Sequence, residues 1–209
     1  TVADVLTSDP SPDLKFDVVI AEPPFGLALP PSVHIADRRW RYGMAPKNSG
    51  DTLWLQHALT HLTDDGRGFV ITPVGTLTRS GTEKGIRAEL LRHGCIESLI
   101  ALPPRMLPHV GANLVVWVLR PPRDNDRLDV HFIDATDVDD AETHVGTWFS
   151  DIAESKALDV AHTIVDVRDL LAADADLTVQ RWVDTPDRDP AEVATAYQDG
   201  WGKLYKIVD

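Results

Sequence analysis

Cysteine is almost missing from this chain: Cys95 stands alone among 209 residues. A single thiol excludes an internal disulfide framework and a cysteine-rich metal cluster, and it fits a reducing, cytoplasmic setting. Positive charge is scarce too. The 20 Lys and Arg residues face 33 Asp and Glu, for a net charge of -13. A surface this acidic repels phosphate, so any role on DNA requires cationic surface from another segment or subunit. No apolar run approaches the roughly 18 residues that cross a bilayer, so no membrane role is expected. Internal repeats and low-complexity tracts are also missing, which excludes solenoid architectures. No signal peptide is evident, and because the first residue is Thr1 rather than Met, a natural start further upstream is expected.

What is present is apolar content of 43%, enough for one sizeable core and an appendage. The most informative stretch is Phe16-Asp17-Val18-Val19-Ile20-Ala21-Glu22-Pro23-Pro24-Phe25-Gly26. Its first six residues read as a strand buried on both faces of a parallel sheet. Pro23 and Pro24 cannot extend a ladder, so the strand stops there. Open α/β sheets place their sites outside the carboxyl ends of strands, which puts Glu22 to Gly26 where chemistry is expected.

Residues 1–15 read as a polar lead-in, with Asp4 and Asp9 in solvent. After Gly26 the chain is irregular to about Gly50. That segment holds the basic, aromatic run Arg38-Arg39-Trp40-Arg41-Tyr42-Gly43, which suits either a lid over the site or a surface loop with Trp40 tucked inward. Asp51 or Thr52 can cap a helix carrying Leu53, Trp54, Ala58, Leu59 and Leu62, ending at Asp64-Asp65-Gly66. His57 and His61 have a spacing that could hold a metal, but no third ligand is evident, and solvated histidines are expected.

Gly68 to Pro73 reads as a second strand. Ser80 with Glu83 forms a capping box for a helix through Ile86, Leu90 and Leu91 that ends at Gly94. Strands follow at Cys95–Leu102, Leu114–Leu119 and Leu128–Ile133, with a hairpin-like turn at Arg123-Asp124-Asn125-Asp126 before the last. This order predicts an α/β fold, the second half of a doubly wound sheet. Beyond Asp134 the pattern predicts a mostly helical extension: a short helix near Trp148 to Leu158, another over 161–172, a strand or extended segment over Leu177–Val183, and an amphipathic helix over 190–208.

The Glu22-Pro23-Pro24-Phe25 turn resembles the Asn-Pro-Pro-Phe/Tyr motif of amino-methyltransferases. Further blocks stand in matching order: Arg41-Tyr42-Gly43, Asp51 with Trp54-Leu55-Gln56-His57, Asp65-Gly66-Arg67-Gly68, Ile86 to Leu91, Leu102-Pro103-Pro104, Trp117-Val118-Leu119 and Phe132-Ile133-Asp134-Ala135. Together, residues 16–134 resemble the catalytic domain of the modification subunit of type I restriction–modification systems, the N6-adenine DNA methylases. The resemblance implies a Rossmann-like fold, with 1–134 as part of a catalytic domain and 135–209 as an extension.

It further implies S-adenosylmethionine as methyl donor and direct attack by adenine N6 on its methyl group; the alternatives are a degenerate, non-catalytic methylase-like structural or regulatory partner and an amino-methyltransferase acting on RNA or protein. Glu22, Pro23 and Pro24 would face the amine and Phe25 would stack on an extruded base. Arg41, Tyr42 and Lys47 are the expected substrate contacts, and Cys95 is expected to fill core. DNA would be reached through a separate specificity subunit, with a restriction subunit as a possible further partner. Two departures stand out. Glu22 occupies the place of Asn, and a carboxylate accepts but does not donate. No glycine-rich strand–turn–helix precedes Phe16, so this chain alone is not expected to bind the cofactor, and the 16–21 strand is expected to leave an open edge through which copies could pair.

Overall fold

The computed structural model describes residues 4–106, 111–123, 128–153, 156 and 158–183. Its strands are β1 (Phe16–Ala21), β2 (Leu62–Pro73), β3 (Ile96–Ala101), β4 (Leu114–Leu119), β5 (Asp129–Asp134) and β6 (Ala161–Asp166). They form one sheet in the order β1-β2-β4-β3-β5-β6. β1 and β2 are parallel, as are β3 and β5, while β4 runs antiparallel to both neighbours and β6 to β5. Helix α1 (Asp51–Thr60) links β1 to β2, and α2 (Thr82–Arg92) links β2 to β3.

The sequence of β4, Leu-Val-Val-Trp-Val-Leu, explains its central place. β-Branched and aromatic residues fit a pleated surface, and all six are buried. Trp117 needs a partner for its indole N–H and donates it to Thr72 Oγ1 on β2 at 2.8 Å. On one face, Leu53 and Leu55 of α1 and Ile86 and Leu90 of α2 share a core with Val70, Leu99, Trp117 and Phe132. On the other face, α3 (Ala141–Ala153) brings Trp148 into a cluster with Ile100, Val116 and Ile133. Each such side chain stabilises by roughly 1.5–3 kcal/mol when fully buried, so stability concentrates at the middle of the sheet. Helices thus cover both faces of a mixed, Rossmann-like α/β sheet. Among the described residues, no helix is long and apolar enough to cross a membrane.

Several expectations are corrected. β1 is not buried on both faces: it is the outermost strand, and Phe16, Val18 and Ile20 are 48%, 56% and 77% exposed. Helix α1 ends at Thr60 because Leu62, though at helical spacing, starts β2 and pairs with Phe16. The pairing then shifts between Phe16 and Val18, so residues 63–66 bulge out of the ladder. Ser80 and Glu83 form no capping box; the cap position of α2 is Gly81, at φ 72°, and Glu83 turns inward. The fourth and fifth strands do not pair as a hairpin, since β4 pairs with β2 and β3 while β5 pairs with β3 and β6, and residues 124–126 of the expected turn lie outside the described residues.

Residues 161–166, read as helix, are the strand β6, so the sheet continues past Asp134; helix begins only with α4 (Val167–Ala172). Helix α3 starts well before the expected Trp148, and Val179–Trp182, expected to be extended, is the short helix α5. The end of α2 matches expectation: Gly94, at φ 62°, takes the left-handed position after the helix, with its N–H on Leu91 O. The amphipathic stripe at 190–208 lies outside the described residues.

Candidate active-site loop

The carboxyl ends of β1 and β2 lie side by side, and the loop after β1 is the Glu22–Gly26 turn. Glu22 and Pro24 face solvent and Pro23 is buried. Phe25 is half-buried against the cluster under α3. Gly26 adopts φ 63°, a conformation that favours glycine. Its N–H donates to Asp51 Oδ1 at 2.7 Å. The segment after it is strapped to the approach of α1: Gly50 N–H donates to Leu27 O at 2.9 Å and Leu29 N–H to Lys47 O at 2.8 Å.

Asp51 heads a polar network beneath the loop. Its side chain is 2% exposed, and Oδ2 accepts from Arg79 Nη1 at 2.8 Å and from Ser49 Oγ at 3.3 Å. The same Arg79 nitrogen lies 3.3 Å from Glu83 Oε1 and 3.0 Å from Ser49 Oγ. Burial opposes the charge on Arg79, but the Asp51 hydrogen bond and the Glu83 charge outweigh it and raise the pKa. Arg87, buried just behind, donates to the carbonyls of Arg79, Thr76 and Ala175 at 2.8, 3.1 and 2.9 Å. The sequence offers Asp51 or Thr52 as a cap and Glu83 for a capping box. Asp51 instead reaches Gly26 and Arg79, distant in the chain, while Glu83 meets Arg79 four residues before it and accepts from Ser49 Oγ at 3.4 Å.

The structure brings Lys47 to the loop's end of the sheet, where its backbone carbonyl holds Leu29 and its side chain is exposed. It does not bring Arg41 and Tyr42 there. Tyr42 is buried, and its hydroxyl accepts from Cys95 Sγ at 3.3 Å, just before β3 begins. That is the amino end of β3, opposite the carboxyl end of β1. Burial pushes the pKa of the Tyr42 phenol up, and that of the Cys95 thiol as well. Cys95 is 0% exposed and fills core as expected. The basic run is no lid: Trp40 is buried, and Arg39 pairs with Asp37 and donates to Val5 O and Leu6 O.

His61 is not solvated, His57 is half-buried, and Asp9 is not a free lead-in residue. His61 is buried, with Nε2 at 3.0 Å from Asp9 Oδ2 and Nδ1 at 2.8 Å from Leu14 O. Asp9, His57 and His61 present ligand atoms within 4.8 Å of one another, so a third candidate ligand does exist. A metal fits this donor set poorly. Arg39 Nη1 sits 3.2 Å from His57 Nδ1, taking that lone pair and adding a positive charge, and both nitrogens of His61 face acceptors. Burial, followed by the charges of His61 and Arg39, lowers the His57 pKa to about 4. The cluster is therefore a hydrogen-bonded clip between the lead-in and α1. A cleft of about 440 Å³ opens beside it, and its charges are mixed: Lys15, Arg38 and Arg41 with Asp9, Asp13 and Asp64. The cleft lies at the end of the sheet away from the proline loop.

The Glu22–Gly26 turn thus stands facing solvent at the carboxyl end of a parallel strand in an α/β sheet. The family model described as N-6 DNA Methylase matches residues 1–189, and the chain belongs to that family. It is 28% identical over 163 residues to the type I restriction enzyme HindI methylase subunit of Haemophilus influenzae, covering 77% of this chain and 36% of that protein. It is 32% identical over 132 residues to the MjaVII methylase subunit of Methanocaldococcus jannaschii, covering 58% and 22%. Among solved structures, the type I restriction-modification methyltransferase subunit from Streptococcus thermophilus superposes with a TM-score of 0.77 at 27% identity, over 88% of this chain and 41% of that one. The EcoKI M protein shares the fold, with a TM-score of 0.62 at 16% identity. The chain thus spans well under half the length of the curated relatives named here.

Proposed function

We propose that this chain carries the amine-facing part of the catalytic domain of a DNA adenine N6-methyltransferase belonging to a type I restriction–modification system. The observation that carries the reading is the Glu22–Gly26 turn: an exposed polar side chain, two prolines and a half-buried aromatic at the carboxyl end of a parallel strand, in a chain of the N-6 DNA methylase family. The Glu22 carboxylate and the loop carbonyls accept the two N–H bonds of an exocyclic amine. That draws the nitrogen's lone pair out of conjugation with the base and exposes it for transfer. Two prolines limit the loop's freedom, so little entropy is lost when the amine binds. Phe25 offers the accessible part of its ring to an extruded base.

S-adenosylmethionine is the donor this reading implies, but the described residues do not fit it. None of the described strands runs through a glycine-rich turn into a helix, and the strand ends are closed by Pro23-Pro24, Pro73 and Pro103-Pro104. Residues outside the described set would hold the donor. With a net charge of -13, the chain also depends on a cationic partner for DNA, for which a separate specificity subunit is the natural candidate, with a restriction subunit as a further one. A second reading, a non-catalytic body kept as a structural partner, is favoured by Glu22 itself.

The test is transfer of labelled methyl from S-adenosylmethionine to unmethylated DNA. It uses the polypeptide extended upstream of Thr1 and co-expressed with its specificity subunit, alongside Glu22→Asn. Asn restores a group that both accepts and donates, so the variant is expected to transfer about 100-fold faster, the scale of one oriented hydrogen-bond donor. Equal rates would show that glutamate suffices. Silence from both folded complexes would establish the non-catalytic body.

A further inference from the structure

We propose that Asp51 is the positioning residue of the Glu22–Gly26 loop, with Arg79 and Glu83 fixing its carboxylate; this rests on the methyltransferase reading and deepens it. The two oxygens of Asp51 serve different parts of the molecule. Oδ1 takes the Gly26 N–H at 2.7 Å, while Oδ2 takes Arg79 Nη1 at 2.8 Å. Both are short, as charge-assisted bonds are. A carboxylate needed only to favour the start of a helix would do so from the surface, where it stays hydrated. Asp51 is 2% exposed, and the capping position of α1 is Gly50, which has no side-chain cap. The buried charge therefore serves the loop.

The network also has a rigid base. Arg79 follows the end of β2, and its carbonyl is held at 2.8 Å by Arg87, which is 1% exposed. Glu83 reaches the same guanidinium from the first turn of α2, so β2, α2 and α1 converge on one nitrogen. Through Asp51 that fixed point reaches Gly26 and sustains its left-handed backbone. The loop is then anchored at both ends, by two prolines before Phe25 and after it by a half-buried ion pair whose carboxylate is buried. Its amine-facing atoms inherit the precision of the core. Asp51 touches no substrate; it acts through the loop.

Asp51→Asn is the discriminating variant. The amide is isosteric, but it can accept at one end only, so either the Gly26 N–H or Arg79 meets an N–H2 instead of an oxygen. Hydrogen exchange at the Gly26 amide, in the intact polypeptide that contains this chain, is expected to quicken about tenfold, the equivalent of one net hydrogen bond. In the methyl-transfer assay kcat is expected to fall about 100-fold, as a small misplacement of reacting groups does, with KM for DNA within about twofold of the parent. Arg79→Lys keeps the charge but not the fork, and is expected to quicken Gly26 exchange by a smaller factor. Ser80→Ala, a neighbour outside the network, is expected to change neither readout. Gly26 exchange within about twofold of the parent in both folded variants would overturn the proposal. If no protein transfers methyl, the exchange data still decide the role of Asp51, and only the methyltransferase reading falls.

Discussion

At the scale of single residues, the buried polar groups separate what local sequence signals from what it does not. Asp9 and His61 are far apart in the chain, and nothing around either predicts their meeting at 3.0 Å. Cys95, by contrast, reads as core from its setting and is core. The His57 clip has a thermodynamic consequence. Desolvation holds the folded His57 pKa at about 4, against an ordinary value near 6.5. The unfolded chain therefore takes up a proton between those values that the folded chain refuses. The neutral imidazole's contribution is complete above pH 6.5 and is lost as pH falls towards 4. Asp9 adds in the same direction: burial raises its pKa, but the Ser11 backbone bond and His61 lower it further, so its contribution goes as pH falls through the carboxylate range. At about 1.4 kcal/mol per pKa unit the His57 share approaches about 3 kcal/mol, and about half that after allowing for the ring's partial exposure. Urea titrations should show His57→Gln, which keeps an acceptor for Arg39, losing about 1–2 kcal/mol less than the parent between pH 7 and pH 4.5. Parallel pH profiles would remove His57 as the cause.

At the scale of elements, β4 and α2 were legible because one physical feature dominates each. An unbroken apolar run, Leu-Val-Val-Trp-Val-Leu, marks β4 as covered on both faces, and Gly94 marks a left-handed helix end. β6 was misread because Ala161-His162-Thr163-Ile164-Val165-Asp166 leads straight into the helical Val167-Arg168-Asp169-Leu170-Leu171 with no punctuating turn, and only pairing with β5 settles the first half as strand. The segment after α4 is tied back by Arg87, whose Nε donates to Ala175 O, and by Leu177 N–H on Leu77 O at 3.1 Å. Among the described residues no carboxylate takes a direct hydrogen bond from Arg87; it satisfies the carbonyls of Thr76 and Arg79 in the β2–α2 connection and that of Ala175 after α4. Arg87→Met preserves the volume but leaves those carbonyls short of donors. Each orphaned acceptor costs about 1–3 kcal/mol, so a loss of about 3–5 kcal/mol is expected in denaturant unfolding, with residues 173–183 the first to become sensitive to protease. An unfolding free energy within about 1 kcal/mol of the parent would mean that water replaces the guanidinium.

At the scale of the whole molecule, the sheet ends in β6 on one side and β1 on the other, and among the described residues neither pairs outward with a further strand. The β1 edge stands out because the strand also leaves one face uncovered. Its bare face carries Phe16, Val18 and Ile20, and Phe69 of β2 beside Ile20 is only partly buried. The sequence pattern, Val-Val-Ile-Ala between Asp17 and Glu22, is that of a strand covered on both faces, and we propose that the mismatch between pattern and exposure marks a surface for more protein. Named relatives of which this chain spans 36% and 22% leave ample length to supply it. We propose that a second copy of the chain can compete for the same edge. The 209-residue chain by itself should therefore self-associate in sedimentation experiments at micromolar concentration. Ile20→Lys, which sets a charge where the side chain is 77% exposed, should weaken that association about tenfold or more, since one buried isoleucine is worth about 1.5–3 kcal/mol. In a longer polypeptide whose added residues pair with β1, the same substitution should destabilise folding instead, because the edge would be internal there. A parent chain that stays monomeric, with Ile20→Lys silent in both contexts, would show that β1 tolerates water as an ordinary edge strand and that the rest of the domain docks elsewhere.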